Sequence, residues 1–535
     1  VCPPGVDETT QLMIQLLKRP ENGALCVETE ISCKDFQEYW NRSTEKTSSS
    51  ISGLHFGHWK AAAKSNELSE IHSLYTEIAT STGYVPPRWM KALTVMLEKK
   101  QGVIVPDKLR AITLLEADFN GGNKLILGKR MMANAEEHGL TQPEAMGSRK
   151  FHNAPALALN RRLTTDRSRQ TNRALAIASV DAAQCYDCIA HAPGSIACQR
   201  LGAPPLFLAT MLTCIQMMRF HLRTAYGDSD SYFGGTPNNG EQPFQGICQG
   251  NGGGPAFWYA MSVVLVLLLY HKGHFARFKS VFGREAVLKV AGLLFVDDTD
   301  LIAYGKEPTS HHLEVVADLQ ASVLTWQAGL HSTGGALKPE KCSWSLLAYH
   351  FVKGRVQIHT PHSSPAAISL NTPAGLKEIK RVPASEGITA VGVVQALNGR
   401  MKPQVDKLKA KADEWAEKVK KGWMNRPLAW TCLRTMIWPS LCYPLQVCSI
   451  TKSQGDAIIV RLYQALLPEI GVQRRFPRVW RHAPRTFQAL ALPHPYFSQG
   501  AEQISLFQKM GLSTEINGSL LRLTIDQAQL EIGRC

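Results

Sequence analysis

The clearest pattern of apolar and polar positions lies at residues 293–302, Leu-Leu-Phe-Val-Asp-Asp-Thr-Asp-Leu-Ile, where two apolar runs flank an acidic centre. It predicts a β-hairpin with buried strands and with Asp297 and Asp298 at its tip. A second apolar stretch, 176–180, ends in Asp181 and leads into a segment that begins like a helix. Helical apolar spacing at 11–18 and 34–40 predicts a helical lead-in over residues 1–50, followed by a polar break at 48–53. Residues 90–97 read as a strand, 99–102 as a turn, 206–222 as a Met- and Leu-rich core helix and 310–330 as a further helix. The Gly-, Asn- and Pro-containing stretch 227–242 reads as a loop or hairpin. Across 400–426, nine Lys or Arg stand against four Asp or Glu. A solvated helix face and a phosphate-facing one are equally good readings of that run.

Composition narrows the picture in three ways. The longest uncharged apolar run, 256–270, is shorter than the roughly 18 residues expected of a membrane span, so it predicts a buried helix and no membrane partner. A net charge of +15 over 535 residues favours a polyanionic partner, with nucleic acid foremost. The 13 cysteines show no zinc-ligand spacing and no secretory signal opens the chain, so an intracellular location, nucleus or cytoplasm, is expected. The chain begins at Val1 instead of Met, which is expected of a piece of a longer product.

Paired carboxylates within an apolar hairpin are costly unless a cation meets them, and Mg²⁺ takes carboxylate oxygens. An isolated Asp-Asp pair is more often a polar turn. Here it does not stand alone. Asp181-Ala-Ala-Gln-Cys-Tyr186-Asp187 comes first, Gly246-Ile-Cys-Gln249-Gly250-Asn-Gly-Gly-Gly-Pro255 lies between, and Phe295-Val-Asp297-Asp298 follows. In type and order these resemble palm motifs A, B and C of reverse transcriptases. The segment 108–115 resembles the family's fingers motif, with Ala111 where Pro is usual, and Leu54 to Lys60 resembles the Gly-His segment preceding the fingers in non-LTR-type retroelements. Its two histidines, His55 and His58, are better read as a helix start than as metal ligands. Gly334 to Cys342 resembles motif D, and Val391-Gly392-Val393 falls where the primer-grip hairpin is expected.

The resemblance implies an α+β fold: a right-hand polymerase with fingers, antiparallel-sheet palm and helical thumb. The lead-in would occupy 1–50, the fingers 51–173, the palm 174–400 (with a fingers insertion near 200–245), and the thumb and C-terminal helical region 401–535. It further implies RNA-templated DNA synthesis from dNTPs on a primer 3′-hydroxyl, with an RNA template, a DNA or RNA primer, and two Mg²⁺ ions for which Mn²⁺ can substitute. Asp181, Asp297 and Asp298 would be catalytic carboxylates and metal ligands, the Ala182 carbonyl a further ligand, and Lys341 (Lys338 as alternative) would act on the departing pyrophosphate. Arg110, Lys124, Tyr186, Gln249 and Gly250 would bind substrate. Arg474, Arg475, Arg478 and Arg481, interleaved with Phe476 and Trp480, would contact nucleic-acid phosphates. An RNA-dependent RNA polymerase and a non-catalytic nucleic-acid-binding scaffold are the competing readings. The first fits poorly because its third motif is usually Gly-Asp-Asp, the second because all three carboxylates are present.

Overall fold

Residues 5–20, 26–183, 185–235, 245–283, 287–307 and 310–533 are described by a computed structural model, Asp107 by its backbone alone. Helix and sheet are mixed, and the chain passes repeatedly between two units. Unit 1 comprises Val1–Phe151, Asp181–Gly273 and Leu324–Lys338; unit 2 comprises His152–Val180, His274–Val323 and Pro339–Cys535.

Unit 1 opens with the expected lead-in helices, Glu8–Leu17 and Cys33–Arg42. Asp7 caps the first, and a Ser32–Asp35 capping box starts the second, each satisfying amide groups that a helix N-terminus leaves open. Phe36 and Trp40 pack with Phe56 and Trp59 of helix Phe56–Ala62 in one buried aromatic cluster. His58 accepts from the His55 amide through Nδ1, which makes the histidine pair a helix start.

A four-stranded sheet follows, in the order β2-β1-β4-β5: β1 (Lys91–Glu98), β2 (Leu109–Leu114), β4 (Arg219–Thr224) and β5 (Gly227–Gly234). The helix expected over 206–222 ends early, at Gln216. Residues 219–224 instead pair in parallel with β1, burying Phe220, and open a hairpin with β5. The apolar spacing alone fits either state there, and pairing with a distant strand decides it. Part of the expected 227–242 loop, residues 236–242, lies outside the described residues. Helix Gly254–His271 is apolar and long enough to cross a membrane, but most of it is buried within the protein, as befits a core helix.

Unit 2 is built on a five-stranded sheet ordered β15-β10-β3-β9-β8. These are β3 (Leu175–Asp181), β8 (Gly292–Phe295), β9 (Asp298–Tyr304), β10 (Ser343–Leu347) and β15 (Lys380–Arg381). The two-residue edge strand β15 lies parallel to β10, whereas β10 with β3 and β8 with β9 are antiparallel. Ser179 meets Asp300 and Ala174 meets Gly305, so β3 and β9 run antiparallel as well. Short ribbons flank this sheet: β6 (Ala276–Phe278) with β7 (Leu288–Val290), β11 (Tyr349–Val352) with β12 (Arg355–Ile358), and β13 (Ser369–Thr372) with β14 (Gly375–Glu378).

The expected hairpin at 391–393 joins β16 (Gly387–Ala390) to β17 (Val393–Ala396) through Val391 and Gly392, both left-handed. Tyr443 and Lys407 hold that tip by hydrogen bonds to its two carbonyls. Beyond it, helix Lys402–Lys421 packs on helix Lys452–Glu469 through Val405, Leu408, Ala412, Ala416 and Val419, an i, i+3/i+4 stripe. Its lysines Lys402, Lys418 and Lys420 form exposed ion pairs with acids one turn away, which favours the solvated reading for this run.

Candidate active site

In unit 1 the Gln-Gly loop is the hub. The Thr113 amide of β2 donates to the Gln249 carbonyl at 2.8 Å, and the Ile247 amide donates to the Tyr186 carbonyl at 2.8 Å. The loop thus ties the strand bearing Arg110 to the short helix Cys185–Cys188. Gly250 sits at φ +132°, and a Cβ there would lie 2.2 Å from the Thr113 carbonyl oxygen, so only glycine permits this approach. Gly246, at φ +82°, is held equally close to Asp187. Asn120 binds the loop twice, donating to the Gly250 carbonyl at 3.2 Å and accepting from the Gly252 amide, while Asn123 donates to Asn251.

Of the expected substrate residues, Gln249 and Gly250 lie in this loop, Tyr186 is hydrogen-bonded to it, Lys124 packs beside it, and Arg110 lies three residues from Thr113 on the strand the loop binds. Arg110 projects from β2 as an exposed side chain, and Lys124 is exposed beside Gly252. The Tyr186 ring packs against Gly254, where helix Gly254–His271 begins. Lys124 also opens a π-helical stretch, Lys124–Met131, a feature common near functional sites. The two cations that follow it have intramolecular tasks. Arg130 holds the Glu28 and Glu30 carbonyls and Asp35, and Lys129 lies over the Tyr39 ring.

Asp181 ends β3, and its carbonyl accepts from the Lys338 amide at 3.1 Å. Ala182 bridges Leu337 in the same short ladder, which sets Lys338 beside motif A. Asp187 lies against the Gln-Gly loop, beside Gly246. Burial pushes its carboxyl up, against a hydrogen bond from the Gln249 backbone that lowers it.

In unit 2 the hairpin of β8 and β9 has the expected form, with Phe295 paired to Asp298 and a two-residue turn of Val296 and Asp297. Val296 lies at φ +57°, a region costly for a β-branched residue, and Cys248 of the Gln-Gly loop lies at φ +63°. Both motifs thus carry backbone strain of the kind that collects at functional sites. One expectation is corrected: the turn carboxylates are not buried, since Asp297 and Asp298 are both exposed. The buried carboxylate is Asp300, two residues on and therefore on the same face of β9 as Asp298. It accepts from Ser179 and lies 3.3 Å from Nε of the fully buried Arg161. An acid at alternate spacing in an apolar strand was the signal for it.

Within unit 2 the sheet makes neighbours of β3 and β9, the strand that begins at Asp298. Lys341 is exposed just before β10. Of the arginines, Arg474 and Arg475 are exposed, and Arg478 pairs with Asp456 at 3.6 Å. The Arg481 guanidinium donates to the Phe476 and Arg474 carbonyls at 2.6 and 3.0 Å, so it shapes its own loop. Among the described residues no three His, Cys, Asp or Glu side chains are gathered into a site that could hold a metal ion. Mg²⁺ does not require such a cage, because it is commonly held by one or two carboxylates, with water and substrate phosphates completing its shell. Exposed Asp297 and Asp298 suit that mode.

No protein family's sequence profile matches the chain. It is similar to the retrovirus-related Pol polyprotein from type-1 retrotransposable element R2 of Nasonia vitripennis, 24% identical over 302 residues. The match covers 55% of this chain and 26% of that protein, so the chain spans about a quarter of the relative's length. The likeness is distant, and it is to a retroelement protein.

Proposed function

We propose that the chain carries the reverse-transcriptase activity of a non-LTR-type retroelement: RNA-templated DNA synthesis from dNTPs. What supports the reading above all is that the loop of Gln249 and Gly250 is hydrogen-bonded both to Tyr186 and to Thr113 of β2, the strand that carries Arg110 three residues earlier, with Lys124 packed beside Gly252 of the same loop. In the reaction the primer 3′-oxygen forms a bond to the α-phosphorus of the dNTP, the α–β bridging P–O bond breaks, and pyrophosphate leaves as the hydroxyl proton is lost. Such chemistry asks for positioning and charge neutralisation more than for covalent participation. Bound Mg²⁺ supplies charge to the attacking and leaving oxygens. Asp181, Asp297 and Asp298, with the Ala182 carbonyl, would hold the ions. Arg110 and Lys124 take the triphosphate, for which a guanidinium offers a two-pronged contact. Lys341 faces the departing pyrophosphate. Gln249 and Gly250 line the nascent pair.

The direct test is extension of oligo(dT) on poly(rA), with Mg²⁺ expected to sustain synthesis and EDTA to stop it. Extension that persists in EDTA, or none with any divalent ion, overturns the reading.

Tyr186 sets the choice of sugar. Its ring, stiff and braced against Gly254, would overlap a 2′-hydroxyl on the incoming nucleotide. Tyr186→Val is expected to shift the ratio of kcat/KM values towards ribonucleotides by about tenfold, some 1.4 kcal/mol of lost discrimination. An equal fall with both sugars would make Tyr186 structural, and a wild type indifferent to the sugar would favour an RNA polymerase.

A further inference from the structure

The C-terminal part of unit 2 holds a cavity of about 740 Å³, within the size range of ligand pockets. Lys452, Asp456, Arg478, His482, His494 and Phe497 supply its charged and aromatic lining, against apolar walls. Asp456 joins two cationic or ionisable partners, Arg478 at 3.6 Å and the buried His494 at 3.3 Å. The rings form a row: His482 meets His494 edge-on at 5.0 Å, and His494 meets Phe497 at 5.3 Å.

The surrounding surface has the same character. Residues 470–501 contain five arginines and no Asp or Glu. Large apolar side chains stay open among them, Phe487 at 65% and Phe497 at 56% exposure. Exposed aromatics within a cationic stretch are ill suited to duplex, whose bases are stacked away and which offers mainly phosphates. They suit an unpaired strand, whose bases can stack on rings while arginines follow the backbone.

We propose that the 474–497 surface seats an unpaired strand, with one base lodged in the cavity against Phe497 and its phosphate near Lys452 and Arg478. The ligand is a nucleotide of single-stranded nucleic acid. Template RNA ahead of the duplex is the source that the proposed polymerase function supplies, and the inference rests on that reading.

The test is fluorescence anisotropy of the full chain with three probes: a short single-stranded oligoribonucleotide, its deoxy counterpart, and a blunt template–primer duplex. Stacking on one aromatic side chain predicts that Phe497→Ala weakens single-strand RNA binding about tenfold and duplex binding far less. Phe497→Tyr, which keeps the ring, should retain wild-type affinity. A 2-aminopurine in the RNA should be quenched by wild type and not by Phe497→Ala. Equal losses on single strand and duplex, or failure of tyrosine to restore binding, would overturn the seat. Tighter binding of the deoxy strand than of RNA would overturn template RNA as its occupant. Wild type that binds duplex but no single strand defeats this inference alone, whereas wild type that binds neither defeats the polymerase reading too.

Discussion

Asp181→Asn and Asp297→Asn are each expected to abolish primer extension, a loss of several powers of ten, while template–primer binding stays largely intact. The asparagine keeps the shape of each side chain and removes its charge. Asp297 sits in the two-residue turn of an antiparallel hairpin and is exposed, so the substitution disturbs little packing. Asp181 stands at the very end of β3, beyond the fully buried Leu175–Ala178 stretch. On the proposed function, what disappears is the negative charge that would hold divalent cations at the reacting phosphate. Single-turnover extension and filter binding, run side by side, separate the two effects. Either mutant retaining more than about a tenth of the wild-type rate would rule out the two-metal assignment.

Arg161→Ala is expected to lower stability by about 3–5 kcal/mol, the cost of leaving a buried carboxylate without its cation. Arg161 is fully buried on helix Ala154–Thr171, and Asp300 is nearly so. The guanidinium nitrogens make no hydrogen bond among the described residues, so the ion pair with Asp300 is their main compensation. Replacing both partners, as in Arg161→Met with Asp300→Leu, should recover most of the loss, because a hydrophobic pair of similar volume needs no charge balance. Denaturant midpoints for Arg161→Met, Asp300→Leu and the double mutant close the cycle. If Arg161→Ala costs less than about 1 kcal/mol, the pair is hydrated and contributes no more than an exposed ion pair. The same pair braces β9 two residues from Asp298, so the single mutants should also slow extension more than the double mutant does.

Local patterns were legible in the sequence wherever a short stretch carried its own instructions. The hairpin at 293–302 follows from two continuous apolar runs with a polar turn between them. Lead-in helices, the strand at 90–97 and the helix after the Gln-Gly loop were readable for a similar reason, whereas the hairpin at 391–393 was expected only from the family resemblance. The glycines of the loop announced a close backbone approach, though not that Thr113 was the backbone approached.

The partners of polar groups were not legible, because each lies far away in sequence. Arg161 is 139 positions from Asp300, and nothing within either segment pairs them. The arginine run 474–485 looked uniform, yet one of its members holds its own backbone, another an aspartate, a third lies over the Trp430 ring, and two remain open. Residues 219–224 could have prolonged a helix until β1 offered them a parallel edge.

By itself, then, the sequence determined where carboxylates would meet strand ends and which glycines would let two backbones touch, since φ/ψ preference and side-chain period act over a few residues. Only the tertiary structure decided which carboxylate is buried, which arginines are left for a ligand and which apolar stretch becomes a strand. Those outcomes depend on desolvation, and desolvation is set by what the rest of the chain packs against each group.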